Sequence, residues 1–344
     1  MDSVASGLVY GMCLFFPLIP IFFNKRFDLK SRIFVNLLIF FPTFIFAALR
    51  GYAGTDTKMY RDNFDSFRIT SIFELSTTDP IFYFIQMIIK NSGGKFQTFA
   101  LFQALFCWIL FSIGAAKIDK SIPLFGVGLL PVLFVDATFN GMRYGMAFAL
   151  TSVIILLIPK VRPTLGMLMA VIPGLIHSSM LIIMISTGCG ILLLLLGIGI
   201  VVMDPRLIAI FQYFQYKASD YSEISRPSVF SGLFPIVQTI AIIFIARISK
   251  VPLRWGINLY CISILLALLS LVISYFSMSG LRLLQIAVFL LAISVSSSIE
   301  RENITIKAKY LVLLIGILGV VNFLRQIFLV GPEGNVLFAP YDFF

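Results

Sequence analysis

The chain is expected to fold as an all-α polytopic membrane protein of about eleven transmembrane helices, with two longer outer loops and one short interfacial helix. Three observations predict this class. Hydrophobic residues make up 59% of the 344 residues and charged residues only 12%, with a mean hydropathy of +1.01, far from the balance of a water-soluble domain. Apolar runs long enough to cross a bilayer recur from one end of the chain to the other. The Lys and Arg residues are gathered into short connectors between those runs. No soluble unit can be separated, so residues 1–344 read as a single transmembrane domain.

In order, the apolar runs lie at about 4–23, 33–49, 96–115, 122–139, 144–158, 164–203, 230–246, 257–276, 283–299 and 310–329. The first carries no basic segment before it, and Lys25, Arg26, Lys30 and Arg32 follow it. That order disfavours a cleaved signal peptide and predicts an outer N-terminus. Five connectors (24–32, 116–121, 159–163, 247–256 and 300–309) hold 14 Lys and Arg in 40 residues, whereas the remaining connectors hold 11 in 97. The positive-inside bias assigns the first set to the cytoplasm and the loops 50–95 and 204–229 to the outer side. The run Pro80–Lys90 is too short to span and is expected to lie at the interface or re-enter beneath the first outer loop. Pro173, Gly174, His177, Gly188 and Gly190 interrupt 164–203, predicting broken helices that face protein or a wet cavity.

Composition excludes several functions. The net charge of +10 is spread over connectors rather than drawn into a basic stripe, which argues against nucleic acid. Cys13, Cys107, Cys189 and Cys261 form no CxxC pair and read as buried thiols. Walker A, GxSxG and HExxH motifs are absent.

Ionisable residues at the outward ends of apolar helices carry the functional signal, because a membrane chain keeps them mainly at sites and wet cavities. Arg50 closes the second run, Arg143 opens the run 144–158, Arg282 opens 283–299 and Arg325 lies in the last run. Guanidinium groups stay charged and match a diphosphate with forked donors; snorkelling to headgroups is the competing reading for each. Asp56 stands in Gly54-Thr55-Asp56, followed by Tyr60, and either caps a short helix over 57–67 or acts on substrate. The second outer loop adds Arg226. His177 in Gly174-Leu-Ile-His-Ser-Ser179 is suited to accept a hydroxyl proton or to orient a sugar; a structural histidine satisfied by a neighbouring carbonyl is the competing reading. Outer loops contain no Asp-x-Asp, so a diphosphate would be neutralised by arginine rather than metal, and no cofactor is called for.

Several of these motifs resemble the EpsG/Wzy-like family of bacterial polysaccharide polymerases: Arg50 with Gly-Thr-Asp56 and Tyr60; Asp79-Pro80; Asn140-Gly-Met-Arg143 before a small-residue helix; Ile176-His-Ser-Ser179; Arg282; and Ala339-Pro-Tyr341. Tyr144 departs from the glutamine that many relatives carry after the arginine. The resemblance implies a GT-C-like glycosyltransferase of the bacterial inner membrane, multi-pass, with its active site facing the periplasm. It further implies polymerisation of undecaprenyl-diphosphate-linked repeat units, as in O-antigen and lipopolysaccharide synthesis, alongside a chain-length regulator, a flippase and a ligase. On this reading Arg143 and Arg282 hold the diphosphate, with Arg50, Arg325, Tyr60 and Arg226 in support, and His177 or Asp56 handles the acceptor hydroxyl. An O-antigen ligase and a transporter of the same lipid-linked oligosaccharide are the alternatives.

Overall fold

A computed structural model describes residues 3–22, 27–54, 56–66, 79–186, 233–251, 256–274 and 278–327. Among the described residues the regular structure is helical: α1 (Ser3–Phe15, continued by a 3-10 segment Phe16–Phe22), α2 (Leu29–Ala48), α3 (Thr57–Ser66), α4 (Pro80–Asn91), α5 (Phe96–Ile118), α6 (Leu124–Gly128), α7 (Leu130–Phe139), α8 (Met142–Ile154), α9 (Pro163–Ile176), α10 (Leu233–Ile248), α11 (Gly256–Ser274), α12 (Met278–Ser298) and α13 (Ile306–Ile327). Four segments are long and apolar enough to cross a membrane by length and composition: Leu29–Ala48, Phe96–Ile118, Gly280–Ser298 and Ile306–Arg325. Twenty residues of α2 at 1.5 Å each match a hydrocarbon core of about 30 Å. Five shorter apolar helices stand beside them. The expected total of about eleven includes crossings within 164–203, whose portion beyond Ser186 lies outside the described residues.

The physical reason for the short pieces is visible in the sequence. Pro131 cannot donate a backbone hydrogen bond, and the run 122–139 divides at Leu129 into α6 and α7. The run 164–203 breaks where α9 ends at His177, after Pro173, and resumes as a 3-10 segment, Ser178–Ser186. Pro80–Lys90 forms α4 with Pro80 in its first turn, a single short helix packed on α5 and α9.

The helices pack around a core formed by α5, α7, α8 and α12, which carry many of the fully buried side chains. Small residues bring their backbones together, as lipid-embedded helices require in the absence of a strong hydrophobic drive between them. A side chain on Gly145 would run into the carbonyl of Ala137, and one on Gly114 into Ser152. One on Gly316 would meet the carbonyl of Val127 at 2.6 Å.

Two polar ends result. At one end Arg32 Nη1 donates to the carbonyl of Asp119 at 3.1 Å. The Asp119 carboxylate in turn accepts from Phe125 N (3.0 Å), Gly126 N (2.6 Å) and Ser296 Oγ (2.6 Å). Lys117, Lys120, Lys160 and Lys309 line cavities at this end, and Ile248 faces Thr305 there. All five basic connectors therefore meet on one side, although their residues are scattered through 24–309. The opposite end collects the outward arginines.

Gly145→Val is expected to lower the melting temperature sharply or prevent folding in detergent, because the α7–α8 crossing has no room for a side chain. Gly11→Ala, at a position with nothing within 4 Å, is expected to leave it unchanged or slightly higher. Thermal unfolding of the two purified variants against wild type checks the contrast.

Candidate functional site

The end opposite the basic connectors is assembled from the C-terminus of α2, helices α3 and α4, and the ends of α7, α8, α9 and α12. Aromatic packing fixes α3 and α4 on the tip of α5: Phe64 stacks on Phe99 with centroids 6.0 Å apart, Phe82 meets Phe99 edge-on at 5.2 Å, and Tyr60 lies 5.9 Å from Phe82. Lys90 Nζ donates to the carbonyls of Phe64 and Asp65, each at 2.8 Å, and so caps the C-terminus of α3 from α4. Gly54 adopts a positive φ of 108° where a side chain would strike the carbonyl of Phe139. The Thr57 hydroxyl secures the same approach, shared between the carbonyls of Ala53 (2.8 Å) and Phe139 (2.9 Å).

At the centre stands an ion pair. Asp79 is 4% exposed, and its Oδ2 accepts from Arg143 Nη1 at 2.9 Å. Its Oδ1 accepts from the backbone N–H of Ser178 at 2.9 Å. One carboxylate thus joins the start of α4, the start of α8 and the turn after α9. Asp79 holds a left-handed backbone, φ 62° and ψ 50°, rare for a side chain other than glycine. Tyr83 Oη lies 3.5 Å from the same Arg143 nitrogen, and the guanidinium sits 5.9 Å over the Tyr60 ring. Arg143 Nε is buried and has no hydrogen-bond partner among the described residues.

Around this pair lie the other charges. Arg282, exposed on α12, is within electrostatic reach of Tyr60, Asp136 and Tyr144. Asp56 is half-buried just before α3 and acts electrostatically on Tyr60 and Asp136. Among the described residues no hydrogen bond or ion pair engages the Asp56 carboxylate. Asp136 accepts from Asn140 Nδ2 at 2.8 Å, closing the turn into α8. Burial raises the Tyr60 hydroxyl above the ordinary tyrosine value, against the opposing pull of Arg143.

His177 caps α9 and is half-buried. Its Nδ1 accepts from the backbone N–H of Ser179 at 3.3 Å and faces Ser179 Oγ at 2.9 Å. With Nδ1 accepting from Ser179 N, a neutral ring carries its proton on Nε2. Tyr144 stands edge-on to the imidazole at 6.0 Å and donates from its hydroxyl to Gln285 Oε1 at 3.0 Å.

The structure therefore brings Arg143, Arg282, Tyr60, Asp56 and His177 to one end. Arg50 lies beneath them rather than on the wall: it is fully buried, donates from Nη1 to the carbonyl of Ala47 at 3.1 Å and sits 5.6 Å over the Phe139 ring. Arg325 is exposed in the last turn of α13, and among the described residues no hydrogen bond or ion pair joins it to the Arg143 cluster. Arg226 lies outside the described residues. Asp79 stood in the sequence as the opening of a short helix and as part of the Asp79-Pro80 motif of the resemblance, with no partner indicated; Tyr83, Asp136 and Gln285 carried no signal beyond being polar in apolar surroundings. Among the described residues no group of three or more His, Cys, Asp or Glu side chains is arranged to hold a metal ion.

A family model described as the EpsG family matches residues 32–343. The chain belongs to the EpsG family. That match takes in every element of the site, from α2 to the end of α13. No curated protein and no solved structure matches the chain significantly.

Asp79→Ala and Arg143→Ala are each expected to destabilise this EpsG-family protein, with a coupling of about 1–3 kcal/mol between them, typical of a buried charge-assisted hydrogen bond. Unfolding of both single variants and the double variant measures it; additive losses would show that the pair contributes nothing.

Proposed function

We propose that this membrane protein is a polysaccharide polymerase, transferring a growing glycan from a lipid diphosphate to a sugar hydroxyl of an incoming lipid-linked repeat unit. Family membership supports a role in polysaccharide biosynthesis. The observation that carries the chemistry is the Arg143 guanidinium, fixed through Nη1 by Asp79 while its side chain stays partly exposed at the arginine-rich end.

In such a transfer the bond between the anomeric carbon and the diphosphate oxygen breaks as the acceptor oxygen bonds to that carbon. Negative charge grows on the departing lipid diphosphate. Arg143 and Arg282 supply fixed positive charge there, in a site already organised before substrate arrives. The acceptor hydroxyl loses its proton to the Asp56 carboxylate, the acid of the cluster left uncommitted. His177 orients a sugar by donating from Nε2, since its Nδ1 already serves Ser179. Arg50 keeps Phe139 and the Gly54 turn in place from below.

The separation of charge between the two ends supports a sidedness. The basic connectors occupy the cytoplasmic face of a bacterial inner membrane by the positive-inside rule, which turns the arginine cluster to the periplasm. Undecaprenyl diphosphate is the expected carrier, and the pathway's chain-length regulator, flippase and ligase are the expected partners.

Deletion of the gene in its native bacterium is expected to collapse the surface-glycan ladder to a single repeat. Wild type restores the ladder, whereas Arg143→Ala and Asp56→Asn, present at wild-type levels, are expected to reduce it by at least about 100-fold, the cost of one electrostatic or proton-transfer group. Loss of the single repeat as well would indicate a flippase or ligase, and wild-type chain lengths in Arg143→Ala would contradict the assignment.

A further inference from the structure

Helix α12 buries almost everything it carries. Over residues 280–298 only Arg282 and Gln285 are exposed, and their spacing of three sets them on one face of the helix. An amide turned to lipid would be left without partners, at a cost. Its exposure beside Arg282 marks a polar opening rather than the lipid face.

Two contacts fix where Gln285 stands. Its Oε1 accepts from the Tyr144 hydroxyl at 3.0 Å. One turn further on, Phe289 meets Phe148 edge-on with centroids 4.3 Å apart. Both pairs join α8 to α12 with the same offset of 141 residues, so the two helices run in the same direction and in register. Phe148 and Phe289 are fully buried and Tyr144 is buried above them; this ladder is dry below and opens at Gln285. The same register sets Arg282 opposite Gly141, which puts no side chain between the helices. Arg143 precedes Tyr144 directly. With Oε1 held by the phenol, the Gln285 amide nitrogen points its two N–H donors elsewhere, and among the described residues no hydrogen bond engages them.

We infer that Gln285 is a third donor of the diphosphate site, binding an anionic oxygen of the phosphate beside Arg282, and that Tyr144 is the positioning residue that aims it. This rests on the polymerase reading proposed above. The arginines supply charge; the amide supplies a neutral, pre-aimed donor of the kind that stabilises oxygens where charge develops. Tyr144 acts through the amide, because its hydroxyl is committed to Gln285 and its ring is packed on Phe148 and set against His177. Asp136, also within electrostatic reach of Tyr144, is engaged by Asn140 Nδ2 at 2.8 Å.

The test uses the full chain purified in detergent. Affinities for undecaprenyl diphosphate and undecaprenyl monophosphate are measured in wild type, Gln285→Leu, Gln285→Glu, Tyr144→Phe and the double variant Tyr144→Phe with Gln285→Leu. Gln285→Leu is expected to weaken diphosphate binding about tenfold, the scale of one hydrogen bond to a charged group, and to change monophosphate binding less. Gln285→Glu keeps an acceptor for Tyr144 but sets an anion where the donors stood, so it is expected to weaken the diphosphate further. Tyr144→Phe is expected to lose part of the same preference, and to cost nothing more once Gln285 is replaced by leucine. Tyr144 is buried and Gln285 exposed, so the two Gln285 variants decide the binding role even if Tyr144→Phe does not fold. A full diphosphate preference in both Gln285 variants would overturn the assignment and leave the polymerase reading standing. An equal loss from Tyr144→Phe with and without Gln285 would overturn the positioning role. A wild type without any diphosphate preference would overturn the polymerase reading and this assignment together.

Discussion

Much of the arginine-rich end depends on how one buried carboxylate is satisfied. Asp79 is removed from water and must find donors, since an unpaired charge at that depth costs several kcal/mol. It finds two, Arg143 Nη1 and Ser178 N, which come from segments 64 and 99 residues away. The strain of its left-handed backbone, about 1–3 kcal/mol, is offset by those charge-assisted bonds. Because Ser178 follows His177, the same carboxylate sets where the histidine stands. Because Arg143 opens α8, it also sets where that helix begins. Removing it would release both.

The division of labour between the two ends has a simple physical origin. The interior of the bundle is closed by aromatic and small residues, such as Phe111, Phe134, Phe148 and Gly145, which leave little space for polar groups. Polar chemistry is therefore pushed to the ends. At the arginine-rich end, cations and carboxylates alternate: Asp79 with Arg143, and Asp136 and Asp56 near Arg282. At the other, cations outnumber acids around the cavities. Both ends are expressions of that segregation. Short, broken helices such as α6, α7 and α9 make it possible, because each ends where a backbone or side-chain donor is needed.

Much of this was legible in the sequence. The basic connectors, the short helix opened by Pro80 and the break at His177 are local signals of charge, length and proline placement. The partnership of Asp79 with Arg143 was not, because nothing local distinguishes that aspartate from a helix cap; only the tertiary fold brings the pair together. Tyr144 with Gln285, 141 residues apart, escaped for the same reason. Arg50 reads as an outward cation in the sequence, whereas the structure buries it against Phe139, where it supports the site from below. The sequence leaves His177 and Asp56 as alternatives for the acceptor hydroxyl; the structure adds that Ser179 engages the imidazole Nδ1, a tertiary detail no local pattern encodes.

The central claim is that Arg143 receives a lipid diphosphate because Asp79 holds it in place. The most direct measurement is the affinity of the purified protein for undecaprenyl diphosphate against undecaprenyl monophosphate, in wild type, Arg143→Lys and Asp79→Asn. Wild type should prefer the diphosphate, and both variants should lose most of that preference, since a lysine cannot reproduce the fork and an asparagine cannot fix it as an ion pair. An undiminished preference in both would place the diphosphate elsewhere and contradict the account.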